Sequence, residues 1–78
     1  MIKRLSELEP GESGIIKDFE QDDIFLKLME MGFIPGETVI VEQVAPMGDP
    51  IAIQVAGYAV SLRLNEASKI MVDTDNDN

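Results

Sequence analysis

The side chains able to do chemistry in this 78-residue chain are mostly carboxylates: 15 Asp and Glu stand against 6 Lys and Arg, with no His and no Cys. The absent thiol removes disulfides, thiolate nucleophiles and Cys-ligated zinc or iron-sulfur sites. The absent imidazole removes the commonest general base and transition-metal ligand. Ser and Thr are therefore left without a His or Cys to activate them. Asp22 and Asp23 are adjacent, and helical neighbours point to different sides, so this pair suits a helix start better than acid-base work. Asp73-Thr74-Asp75-Asn76-Asp77-Asn78 opens like a calcium loop but lacks its glycine and closing bidentate glutamate, so residues 74–78 read as an acidic disordered tail. Gly32-Phe33-Ile34-Pro35-Gly36 lacks the Gly-Lys-Ser/Thr ending of a phosphate loop and leads into a strand. These patterns predict no catalytic residue and no tightly bound cofactor.

The net charge of −9 argues against nucleic acid, because six basic residues scattered from Lys3 to Lys69 make no phosphate-neutralising stripe. The longest uncharged run, residues 50–62, falls short of the roughly 18–20 residues that span a bilayer. No apolar core of a signal peptide follows Lys3 and Arg4. The expected address is the cytoplasm, with no direct membrane insertion. An apolar fraction of 45% is that of a folded domain. The length permits one domain, residues 1–73, ahead of the tail.

Hydrophobic patterning predicts the elements. Residues 15–19 read as a first strand after a turn at Pro10-Gly11. From Asp22, the residues Ile24, Phe25, Leu28 and Met31 fall at helical spacing, with Asp23, Lys27 and Glu30 on the opposite face. Gln21 and Asp22 suit the helix start, and Gly32 its left-handed end. Pro35-Gly36 predicts a type II turn. Residues 38–44 form a β-branched strand, 46–50 a loop, and 51–56 and 59–64 an antiparallel pair joined at Gly57-Tyr58 by a type II′ hairpin. A short turn at 65–68 precedes a last strand at 70–72. Five strands and one helix in so short a chain hide their edges best in a small, mainly β, SH3-like barrel with the helix inserted. Phe25, Met29 and Met31 are expected in the core, while Met47 is an apolar side chain presented on a turn.

Three segments carry a resemblance: Leu28-Met29-Glu30-Met31-Gly32-Phe33-Ile34-Pro35-Gly36, Val44-Ala45-Pro46-Met47-Gly48-Asp49-Pro50-Ile51, and Val60-Ser61-Leu62-Arg63. Together they resemble the FeoA family, the small cytoplasmic partner of the bacterial ferrous iron transporter FeoB, over residues 5–72. The resemblance implies an SH3-like barrel with an inserted helix. It also implies a non-enzymatic regulatory or assembly role at the transporter's cytosolic GTP-binding region, the GTP chemistry belonging to the partner. Its characteristic positions here are Leu28, Gly32, Pro35, Gly36, Gly48, Asp49, Pro50, Leu62 and Arg63. The partner-binding residues expected are Lys27, Leu28, Met31, Gly32, Pro35, Gly36, Met47, Gly48, Asp49, Pro50 and Arg63. Relatives often carry an arginine where Lys27 stands, a better bidentate ligand than lysine. The alternative is a metal-responsive domain, like the C-terminal module of iron- or manganese-dependent repressors, binding Fe²⁺ or another divalent ion weakly. Weak self-association is a further expectation.

Overall fold

The computed structural model describes residues 1–20 and 23–74. Six antiparallel strands form one sheet: β1 (Ile2–Arg4), β2 (Ser13–Phe19), β3 (Thr38–Val44), β4 (Ile51–Val55), β5 (Tyr58–Leu62) and β6 (Ile70–Asp73), in the order β1-β6-β2-β3-β4-β5. The helices are α1 (Phe25–Glu30) and α2 (Leu64–Ala67), with a 3₁₀ turn at Leu5–Glu7. The SH3-like, mainly β reading holds, with six strands in place of five and a second short helix. Among the described residues β1 and β5 do not pair, so the curled sheet keeps two free edges. Register shifts between Ile16 and Asp18 and between Val41 and Gln43 bend β2 and β3, as bulges do, and tighten the curl.

Strand alternation puts Ile51, Ile53 and Val55 of β4 and Ile70 and Val72 of β6 on the inner face. They join Leu5, Ile16, Leu28, Phe33, Val39, Val41 and Leu62 in one apolar core. No polar or charged residue is buried among the described ones, so the core carries no desolvated charge.

Gly32 ends α1 with φ +105°. Its N–H donates to Met29 O and the Phe33 N–H to Leu28 O, both at 3.0 Å, while buried Leu28 and Phe33 supply the apolar contact of a Schellman motif. The Pro35-Gly36 turn is type II as expected: Gly36 has φ +98°, and Glu37 N–H donates to Ile34 O at 2.9 Å. The expected start at Gln21 and Asp22 lies outside the described residues, as does the tail from residue 75 onward.

Four details depart from expectation. β1 is an added strand, held by pairing with β6 through Ile2↔Asp73 and Arg4↔Met71. The β4–β5 hairpin turns at Ala56-Gly57, one residue earlier than expected. Both have positive φ, +53° and +83°, which is a type I′ turn in place of type II′. Leu64 opens α2 and is 39% exposed, where it was expected to extend a strand. Phe25, expected in the core, is 40% exposed, while Met31 packs against the core. At the chain's ends, the Met1 ammonium meets Asp73 Oδ1 at 3.0 Å and Thr74 N–H donates to Met1 O at 2.8 Å.

Candidate functional site

Arg63, at the exit of β5, is the N-cap of α2, and Glu66 stands three positions on. That spacing lets a glutamate reach back to the first unpaired amide of a helix. Glu66 Oε1 accepts from the Arg63 N–H at 2.9 Å, and Oε2 meets Lys27 Nζ of α1 at 3.2 Å. Asp49, in the β3–β4 loop, completes the arrangement by accepting the Leu64 N–H at 2.9 Å. The fold thus gathers Lys27, Asp49 and Arg63, far apart in sequence, around one turn of helix. The hydrogen bond from the Arg63 amide, reinforced by the Lys27 ammonium, holds the Glu66 carboxyl below the usual carboxylate range.

Beside this turn lies an open cleft of about 820 Å³, lined by Ser6, Ile24, Asp49, Arg63, Leu64 and Asn65 among others. Lys27 is committed to Glu66, whereas the exposed Arg63 guanidinium has no ion pair among the described residues. An exposed guanidinium beside carboxylates and backbone amides suits recognition of a polar or acidic partner surface.

The other expected positions serve the fold or stand apart. Leu28 is fully buried, and Gly32 and Gly36 hold the positive-φ turns on either side of Phe33-Ile34-Pro35. Gly48, at φ +89°, donates to Ala45 O at 2.7 Å, and Ala45 N–H donates to Pro50 O, which closes the loop that aims Asp49. The Asp49-Pro50 bond is cis. Met47 is 92% exposed at the loop's tip. Pro35 lines a different groove with Phe19, Phe25 and Met29, rimmed by Asp18, Glu20 and Asp23. Met31 and Gly32 line a third, against β5. Glu66, which ties the first cluster together, escaped the sequence reading; the Arg-x-x-Glu spacing ahead of Ala67 was its signal. Among the described residues no three of His, Cys, Asp and Glu converge to hold a metal ion. No described helix is long and apolar enough to cross a membrane.

The FeoA domain family matches residues 3–74. A fusion of Fe(2+) transport protein A with the Fe(2+) transporter FeoB, from Porphyromonas gingivalis, is 44% identical over 71 residues, covering 90% of this chain and 8% of that protein. The chain therefore spans only a small part of that relative. A FeoA-like protein from Clostridium acetobutylicum superposes with a TM-score of 0.88 at 35% identity, covering 99% of this chain and 91% of the other. FeoA of Stenotrophomonas maltophilia in complex with zinc, described as a prokaryotic SH3 domain protein, superposes with a TM-score of 0.78 at 33% identity, covering 94% and 89%. With nearly its whole length matched in sequence and fold, this chain belongs to the FeoA family, whose members are associated with ferrous iron transport.

Proposed function

We propose that the chain is a non-enzymatic, cytoplasmic accessory protein of bacterial ferrous iron uptake that docks on the GTP-binding region of a FeoB-type transporter. The observation that carries this reading is the Porphyromonas gingivalis fusion, in which a domain 44% identical to this chain shares one polypeptide with FeoB. Fusion holds two parts at high effective concentration, which favours parts that work in contact. The Arg63 cleft and the exposed Met47 loop together supply a charged and an apolar contact for such docking. Lys27, engaged by Glu66, is poorly placed to act as an arginine-finger substitute.

The test is anaerobic titration against the soluble GTP-binding domain of the cognate transporter, with nucleotide state varied and Fe²⁺ present or absent. Saturable binding that Arg63→Ala weakens supports the reading, and no binding at high micromolar concentration in any state overturns it. GTP turnover measured in the same mixtures separates docking from acceleration of hydrolysis. A second reading, a metal-responsive domain, draws on the zinc bound by the Stenotrophomonas maltophilia relative. Saturable heat on adding Fe²⁺ or Zn²⁺ to this chain alone would favour it.

A further inference from the structure

We propose that the free edge of β5 is a docking site for an extended, basic peptide segment, which adds to the sheet as a seventh strand. This inference does not rest on the transporter reading.

The register fixes which backbone groups are free. Val55↔Tyr58 flanks the two-residue turn and is therefore a hydrogen-bonded pair, as are Ile53↔Val60 and Ile51↔Leu62 by alternation. The N–H and C=O of Ala59 and Ser61 consequently point away from β4, and no further strand lies beyond β5 among the described residues. Natural edges are usually blunted by charge, proline, bulges or brevity. β5 is five residues, Tyr-Ala-Val-Ser-Leu, with none of the first three, and its pairing with β4 runs without a register shift.

A groove of about 480 Å³ runs beside this edge, lined by Glu30, Met31, Gly32, Tyr58, Ala59 and Val60. Its walls are mostly apolar, and Glu30 is its one charged lining residue. Glu30 has no ion pair among the described residues. Strand addition draws affinity from main-chain hydrogen bonds and specificity from pockets that take alternate side chains. An occupant alternating small or β-branched apolar residues with Lys or Arg would fill the groove and meet Glu30. The net charge of −9 favours the same basic occupant over a second copy, which would bring an equal negative charge to the edge.

The test titrates the ¹⁵N-labelled full chain with a capped eight-residue peptide of alternating lysine and valine, and with its glutamate-valine counterpart. The lysine peptide is expected to shift the Ala59 and Ser61 amides saturably and to slow their exchange, with the glutamate peptide about tenfold weaker. Ser61→Pro removes an outward donor without touching the β4 ladder and should weaken the lysine peptide at least about tenfold. Ser61→Lys keeps every backbone group but guards the edge with a like charge, and should weaken it about fivefold even if the proline variant fails to fold. Glu30→Gln should cost about two- to fivefold. Shifts spread over the acidic surface and indifferent to the position-61 variants would overturn the proposal. So would no saturable shift at β5, or protection of Ala59 and Ser61 that rises with protein concentration in the absence of peptide.

Discussion

The two edges of the sheet are handled in opposite ways. β1 is three residues long, and two of the three are basic: Lys3 pairs with Glu12 at 3.2 Å, and Arg4 reaches Glu20 at 2.7 Å and the Ser68 carbonyl at 2.6 Å. Short and charged, it is a poor template for another strand. β5 is longer, uncharged and followed at once by a capped helical turn that fixes its end. A glutamate nevertheless anchors the chain near each edge by the same device. Glu12 accepts from the Glu9 amide and meets Lys3, while Glu66 accepts from the Arg63 amide and meets Lys27. The lesson is that local anchoring is common to both ends, and edge chemistry alone separates the closed side from the open one.

The sharpest way to break this comparison is to truncate an aliphatic side chain on each edge strand. Leu62→Ala empties a fully buried site on β5 and should cost about 2–5 kcal/mol in urea unfolding, whereas Ile2→Ala, 54% exposed on β1, should cost less than about 1 kcal/mol. Equal losses would mean that β1 carries more of the fold than its packing suggests. Asp49→Ala, which strands the Leu64 amide at the start of α2, just past β5, should cost about 1 kcal/mol, and Asp49→Asn should restore most of it by keeping an acceptor. Ala56→Asn at the hairpin should gain about 0.5 kcal/mol, since Asn tolerates the positive φ that Ala adopts at +53°. The smallest effect is in pH dependence. Both Glu66 and Glu12 have lowered carboxyl pKa values, the first from the Arg63 amide and then Lys27, the second from the Glu9 amide and then Lys3. A carboxylate whose folded pKa lies below its unfolded value adds stability above the unfolded pKa and loses it as pH falls through the folded one. Glu66→Gln and Glu12→Gln should therefore destabilise at pH 7 and converge on the parent protein in acid, the gap closing below about pH 4.5. Thermal unfolding from pH 7 to 3 reads both. The Glu66 gap should be the larger, because its side chain is 15% exposed against 32% for Glu12.

Strands with clear alternation were legible in the sequence: β4, β6 and most of β5 write their inner faces into every second residue. β1 was not, because a three-residue segment with a single apolar side chain has no period to read and owes its existence to β6, some seventy residues away. The hairpin slipped by one residue because alanine at positive φ runs against its own preference, and only the Val55↔Tyr58 pairing imposes it. The site was legible in parts. Lys27, Asp49 and Arg63 stood out singly, but their meeting at Glu66 is a product of tertiary packing, and so is the alignment of Met31 and Gly32 with the β5 edge.

The contact between Met1 and residues 73–74 makes the path of the backbone almost a ring. A bridge of a few residues would close it, and reopening at the exposed Met47 tip would yield a circular permutant with every strand intact. For a natural fusion the same proximity means that a neighbour joined before Met1 or after Thr74 leaves from one corner of the curled sheet. Order of domains along a gene can then change while the point of attachment in space stays the same.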